Sequence, residues 1–394
     1  MFDAFVIGGG PSGATAAEDL ARGGKRVALL DRAGRIKPCG GAIPPRAIAD
    51  FAIPDHLIVA KVNTARMVSP SGRAVDIAIE GGFVGMVDRD TFDEFLRERA
   101  AMQGAVRLTG TFLRIERGEE TRVIWRDKTG VERGTPTRVV IGADGARSDV
   151  ARAEVPGGKE IPYVIAYHEI IAAPNGVASY DPTRCDVIYD GRISPDFYGW
   201  VFPHGVTASV GMGTGIDGVN LKQATADLRR ASGLADCATL RREGAPIPLR
   251  PLDRWDNGRD LVLAGDAAGV VAPSSGEGIF YAMAGGRAAA TAAMAFLRTG
   301  RARDLRLARS MFMTEHGMVF KVLRSMQDAY YKSDERRERF VSLCHDLDVQ
   351  KLTFEAYMNK RLVKARPMAH LKIGVKNLMH LMGVVRPEWS GMGS

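Results

Sequence analysis

Six residues near the start of the chain, Gly8-Gly9-Gly10-Pro11-Ser12-Gly13, and one carboxylate, Asp31, have the types and spacing to hold a dinucleotide. Gly8 makes a tight turn, Gly10 lets the backbone approach a pyrophosphate, and Gly13 allows a helix to touch a strand. Free N–H groups and the positive dipole end of that helix favour the anion. Asp31 stands 18 residues after Gly13, where a carboxylate can accept both ribose hydroxyls of an adenosine.

The neighbouring residues supply the elements this chemistry needs. Phe2, Ala4, Phe5, Val6 and Ile7 predict a strand, Ser12 to Arg22 a helix ended by Gly23-Gly24, and Val27 to Leu30 a second strand delivering Asp31. Arg32 to Pro45 reads as a loop from its Gly and Pro content. Within it Cys39 is a candidate for a place beside a ligand, the alternative being a small residue that fits a tight loop. Thr64 to Ile79 predicts a hairpin turning at Ser69-Pro70-Ser71-Gly72. Asp90 is expected to cap a helix through Met102, with Arg89 aimed at a phosphate or ribose, or simply ion-paired. Strands follow at Phe112–Arg117, Arg122–Trp125 and Arg138–Ile141. Two further strand-to-loop-to-helix sites carry an aspartate between small residues, Gly142-Ala143-Asp144-Gly145 and Gly265-Asp266-Ala267. Pro273 and Gly276-Glu277-Gly278 precede a long helix from Ile279 to Leu297.

Bulk properties narrow the class. With 394 residues, 45% hydrophobic and 25% charged, the chain is long enough for two or three structural units. No apolar stretch reaches transmembrane length. The predicted first strand begins at residue 2, leaving no room for a cleavable leader, so a cytoplasmic protein is expected. Cys39, Cys185, Cys237 and Cys344 are widely spaced, which predicts reduced thiols and no structural metal. The seven histidines are equally scattered and read as packing or surface residues.

The formal charge of +8 lies entirely in the last quarter. Residues 351–394 carry Lys351, Lys360, Arg361, Lys364, Arg366, Lys372, Lys376 and Arg386 against Glu355 and Glu388. This predicts an anionic partner, and nothing else favours nucleic acid. From Arg301 the pattern is helical, with Ala308, Met311, Phe312, Val319, Val322, Leu323, Met326 and Ala329 on one apolar face. Leu371 to Val385, interleaved with Lys372, Lys376 and His380, is either a closing helix over an apolar pocket or an interfacial helix on anionic lipid.

Gly8–Gly13, Asp144-Gly145 and Gly265-Asp266, in this order and spacing, resemble the FAD flavoprotein family typified by p-hydroxybenzoate hydroxylase. The resemblance implies that the first motif holds the ADP part, the Asp-Gly loop lies near the pyrophosphate, and Asp266 binds a ribityl hydroxyl. Pro273 and the helix starting near Gly278 would face the isoalloxazine. Pro195-Asp196-Phe197-Tyr198-Gly199-Trp200-Val201-Phe202-Pro203 further resembles the Pro-x-x-Tyr-x-Trp-x-Phe-Pro pattern of geranylgeranyl reductases, and Lys37 to Pro45 resembles their bacteriochlorophyll and chlorophyll branch. Alternation would set Tyr198, Trp200 and Phe202 on one face as a wall for a prenyl chain, or as ordinary sheet core.

The expectation is therefore an α/β protein, α+β overall. A Rossmann-like FAD domain (1–62, 87–155 and 256–300) is joined by an antiparallel-sheet substrate domain (63–86 and 156–255) and a helical C-terminal region (301–394). The candidate cofactor residues are Gly8, Gly10, Ser12, Gly13, Asp31, Arg32, Cys39, Gly40, Gly41, Arg89, Asp144, Gly145, Gly265, Asp266, Pro273, Gly276, Gly278 and Ile279. Tyr198, Trp200 and Phe202 are the substrate candidates, and Cys39, Tyr198 and pocket water the candidate proton donors. The resemblance implies reduction of the C=C bonds of a geranylgeranyl group, on a pigment or as the diphosphate, to phytyl, with NADPH or ferredoxin as electron source. An FAD monooxygenase shares the flavin motifs, and a flavin-binding pigment or lipid carrier without turnover is the third reading.

Overall fold

The computed structural model describes residues 1–32, 34, 36–80 and 82–360. The chain packs as two compact units, the first drawn from Met1–Lys37, Arg89–Tyr163 and Pro246–Gly317, the second from Pro38–Asp88, Val164–Ala245 and Met318 onward. Residues 38–62, placed with the cofactor domain in the sequence-based division, pack with the second unit. The reason is local: Ala42–Ile43 and Ala60–Val62 both pair with Val84–Met86 in a small three-stranded sheet.

In the first unit, four parallel pairings align Val106–Arg117, Val27–Asp31, Phe2–Ile7, Glu132–Gly142 and Leu261–Leu263 side by side. Thr121–Asp127 bridges the long strands Val106–Arg117 and Glu132–Gly142 through antiparallel pairs. Ala4, Phe5, Val6, Val27, Val139, Val140, Ile141 and Val262 are fully buried, as expected of parallel strands covered on both faces. The Pro11–Arg22 helix packs against the Ile279–Thr299 helix, close enough that a Cβ on Gly286 would lie 2.2 Å from the Ser12 carbonyl oxygen.

The helix expected to be capped by Asp90 begins one residue earlier, at Arg89, and runs to Met102. Asp90 therefore sits in its first turn, where its carboxylate accepts from the Thr91 N–H at 2.8 Å. The expected hairpin is present as the antiparallel strands Thr64–Val68 and Ala74–Ala78.

The second unit is built on a seven-stranded, mostly antiparallel sheet. Its order is Thr239–Pro248, Tyr163–Ala172, Thr207–Thr214, Gly199–His204, Arg184–Ile188, Thr64–Val68 and Ala74–Ala78. Alternation divides its faces. Ile171, Val201, Val210 and Met212 pack with Ala224 and Leu228 of the Leu221–Ala231 helix, whereas Phe202 packs against Val62, Ile79, Val84 and Met86.

Helices Leu307–Tyr330, Asp334–Leu343 and Leu347–Met358 follow. On the first of these, Ala308, Phe312, Val319 and Leu323 are buried, but Met311 and Val322 are 44% and 36% exposed, so the apolar face is narrower than its spacing predicts. The basic residues from Arg361 onward and the Leu371–Val385 stretch lie outside the described residues.

Candidate active site: a dinucleotide cradle and an aromatic strand

Four parallel strands of the first unit end in the motifs singled out from the sequence. Residues after Ile7, Leu30, Gly142 and Leu263 leave from carboxyl ends on the same side, where open α/β sheets bind ligands. Their loops interlock. The Gly8 N–H donates to Leu30, Ala143 to Ile7 and Ala264 to Gly142 at 2.8 to 2.9 Å. Gly8 has φ +104, and a Cβ there would sit 2.3 Å from the Ala143 carbonyl oxygen. A Cβ on Gly13 would lie 1.8 Å from the Gly8 oxygen, so this glycine permits the helix to touch the turn. Gly10 is different, with φ −73 and open space where its Cβ would project.

The cradle fits the group that the motif implies. The Ser12 hydroxyl, in the first turn of the helix, is buried without a hydrogen-bond partner, and buried polar groups of this kind are costly unless satisfied. Asp31 receives the Gly9 N–H at 2.6 Å and lies 3.7 Å from Arg97 Nη1. Burial nevertheless pushes its carboxyl above the usual range, and hydroxyl donors from a ribose would offset that cost.

The other two aspartates are held differently. Burial also raises Asp144, whose oxygens accept from the Ser148 hydroxyl at 2.5 Å and the Val150 N–H at 3.2 Å. Asp144 thus shapes its loop from within and leaves Gly145, at φ +89, beside open space. Asp266 lies in the short turn Gly265–Ala268 and is paired at 2.5 Å with Lys37 Nζ. Lys37 was not among the candidates, although a cation within a Gly- and Pro-rich loop was its available signal.

The loop leading to the Ile279–Thr299 helix closes through Ala272 and Gly276–Glu277 backbone bonds, with Gly278 at the N-cap and Glu277 accepting from the Phe280 N–H at 2.9 Å. Pro273, Gly276, Gly278 and Ile279 thus belong to one tight turn. Arg32 follows the second strand and is exposed. Arg89 is buried and makes a bidentate pair with Asp93, both bonds at 2.8 Å, so the structure places it in an intrahelical ion pair.

In the second unit the aromatic strand and the Cys39 loop come together. Tyr198, Trp200 and Phe202 form a row with ring centroids 6.1 and 6.2 Å apart. A Cβ on Gly40 would sit 3.2 Å from the Phe202 ring, and one on Gly41, at φ +70, 2.5 Å from His204 Cε1. His204 Nε2 donates to the Gly40 carbonyl at 2.9 Å, and its Nδ1 lies 3.4 Å from Asp88. That contact holds the Asp88 carboxyl below its usual range. The Gly41 N–H points at the Cys39 sulfur, 3.4 Å away. His204 is a site-forming residue that scattered histidines in a sequence do not reveal. Burial raises the Tyr198 hydroxyl well above its ordinary value, which makes it a hydrogen-bond donor and a poor acid.

The pyridine nucleotide-disulphide oxidoreductase family matches residues 2–171. A geranylgeranyl diphosphate reductase of Rhodobacter capsulatus is 70% identical over 99% of this chain and 100% of that protein. The chain belongs to the geranylgeranyl reductase family. A chloroplastic member from Oryza sativa is 37% identical over 96% of this chain and 85% of its own length. The crystal structure of a geranylgeranyl bacteriochlorophyll reductase-like protein from Thermoplasma acidophilum shares the fold, with a TM-score of 0.79 and 22% identity over 93% of this chain and 99% of that one. The family resemblance read from the three flavin motifs and the Pro195–Pro203 stretch is correct.

Proposed function

We propose that this protein is an FAD-dependent oxidoreductase that saturates the C=C bonds of a geranylgeranyl group to give phytyl. The observation that carries the reading is the full-length 70% identity to a geranylgeranyl diphosphate reductase. The glycine cradle and the aromatic strand support it. Reduced FAD, when bound, supplies the hydride equivalent for each double bond.

The protein's own contribution is binding, orientation and exclusion of water, because an unactivated alkene develops little charge for a side chain to grip. Gly10, Ser12 and the helix N-terminus receive the pyrophosphate, Asp31 the adenosine ribose, and Asp266 a ribityl hydroxyl. Asp144 sets the loop that brings Gly145 to the phosphates. Tyr198, Trp200 and Phe202 give the prenyl chain an apolar wall. Cys39, held in place by Gly40, Gly41 and His204, or an ordered water supplies the proton.

NADPH is the proposed electron donor, with ferredoxin as the alternative. The substrate is a geranylgeranyl chain carried by a pigment or by diphosphate, and the basic tail holds the enzyme at an anionic membrane surface. Among the described residues no helix is long and apolar enough to cross a membrane.

The deciding experiment is anaerobic incubation of the reduced protein with geranylgeranyl diphosphate and with a geranylgeranyl-esterified bacteriochlorophyll, followed by product mass. Addition of two hydrogens per reduced bond supports the reading and identifies the carrier. No product from either substrate overturns it, and a parallel aerobic incubation then separates a monooxygenase, which gives hydroxylated product, from a carrier, which gives none.

A further inference from the structure

Three adjacent strands of the second unit carry His168, Gly211 and Trp200 in one line, because Gly211 is the register partner of both other residues. The central position has to be glycine. A Cβ there would lie 2.4 Å from the His168 Cβ and 2.5 Å from Trp200 Cζ2. Without it, the imidazole and indole close over the middle strand with ring centroids 6.2 Å apart.

Two residues along the same strand, and so on the same face, Ser209 reaches both rings. Trp200 Nε1–H donates to Ser209 Oγ at 3.1 Å, and the Ser209 hydroxyl lies 2.9 Å from His168 Nδ1. His168 Nε2 lies 3.2 Å from Glu243 Oε2, and the other Glu243 oxygen is paired with Arg241. An indole N–H only donates and a carboxylate only accepts. His168 Nε2 therefore carries a hydrogen toward Glu243, and the Ser209 hydroxyl links Nδ1 to the indole. Every polar atom in the chain from Trp200 to Glu243 is then satisfied.

A serine, a histidine and a carboxylate in this order resemble the parts of a nucleophilic triad. Ser209 is fully buried, however, and its oxygen already accepts from the indole. The network has no access to a substrate carbonyl, and its free end is a tryptophan.

We infer that Ser209, His168 and Glu243 are positioning residues that lock the Trp200 indole over Gly211 and thereby set the orientation of the wall along which successive double bonds are presented. The inference rests on the prenyl-reductase reading and assigns specificity to residues that touch no substrate. Indole rotation is the freedom such a wall has to lose. Trp200 is only 6% exposed, so packing over Gly211 already restricts its ring, and the bond from Nε1–H to Ser209 adds a directional restraint.

The test uses FAD-loaded full-length protein, with Trp200→Phe identifying the indole resonance. In Ser209→Ala the Trp200 Nε1–H exchanges with solvent at least roughly tenfold faster, the loss expected when a buried donor loses its acceptor. Flavin content stays unchanged. With geranylgeranyl diphosphate, kcat/KM falls roughly tenfold and partly reduced products are released. Ser209→Thr, which restores the hydroxyl, returns both readouts toward wild type. His168→Gln serves as the second perturbation should Ser209→Ala fail to fold.

Unchanged indole exchange in both variants overturns the lock. Faster exchange with an unchanged product distribution overturns its role in specificity. A wild-type protein that reduces no geranylgeranyl substrate overturns the functional reading and with it the role in specificity, while the exchange measurement still decides whether the lock exists.

Discussion

Gly10→Val separates the cofactor from the fold more cleanly than any other single change in the cradle. Gly10 has φ −73 and ψ −176, extended backbone that valine adopts, and its Cβ would meet nothing within 4 Å. The folded apoprotein therefore loses little beyond the weaker N-capping of valine, about 1 kcal/mol or less. The new side chain projects into the space that a pyrophosphate at this helix N-terminus requires. Losing two charge-assisted hydrogen bonds at about 1.5–3 kcal/mol each weakens FAD binding by about 3–6 kcal/mol, or roughly 10²- to 10⁴-fold.

Gly13→Ala is the contrasting control, because its Cβ would lie 1.8 Å from the Gly8 oxygen and the helix must move away from the turn. Flavin titration followed by fluorescence, with circular dichroism melts of both apoproteins, measures the two effects separately. The expected result is a colourless, folded Gly10→Val and a destabilised Gly13→Ala. Wild-type FAD affinity in Gly10→Val would refute the assignment of this turn to the pyrophosphate.

Trp200→Ala should raise KM or release partly reduced products while FAD stays bound, at a stability cost of about 3–5 kcal/mol for truncating a buried indole; unchanged kinetics would return this strand to ordinary sheet core. Asp260 is held below its usual carboxyl range because Arg117, Asn257 and Thr121 donate to it and outweigh its burial. Its contribution to stability is therefore complete above an unfolded-state value of about 3.9 and disappears as pH falls through the lower folded value. Asp260→Asn should lower stability at neutral pH and flatten the acid limb of a chemical-denaturation series, and an unaltered acid limb would count against this account. For the tail, co-sedimentation should be stronger with anionic than neutral vesicles and weaken in salt, each engaged cation contributing about 1 kcal/mol. Equal partitioning to both, or full binding after the Lys and Arg residues of 351–394 are neutralised, would show that the tail does not act this way.

How much of this was readable beforehand depends on the range of the interactions. Gly8, Gly13 and Asp31 could be understood from the chain because strand, turn, helix and strand follow one another within 31 residues. Arg89 and Asp93 also carried a local signal, since residues four apart on a helix face each other, and that spacing identifies the ion pair found. Asp144 had the right position in the sequence, but its capture by Ser148 depends on how a short loop folds back. The Cys39 loop and the Phe202–His204 segment are some 160 residues apart, and their union follows from strand pairing in the second unit. Gly211 shows the limit most plainly. Nothing adjacent to it in sequence announces that two rings from different strands will meet above it.

The order of strands in the first sheet has a consequence for biosynthesis. The Phe2–Ile7 strand emerges first, but the Leu261–Leu263 strand, with the Gly265–Asp266 turn, is translated only after the entire second sheet. During most of its synthesis the nascent chain therefore presents an unfinished parallel edge and no complete flavin cradle. Parallel pairings of such separation form slowly and leave apolar edges open to misassembly. Flavin capture is consequently a late event, and cells short of flavin should lose this protein to proteolysis before they lose its message.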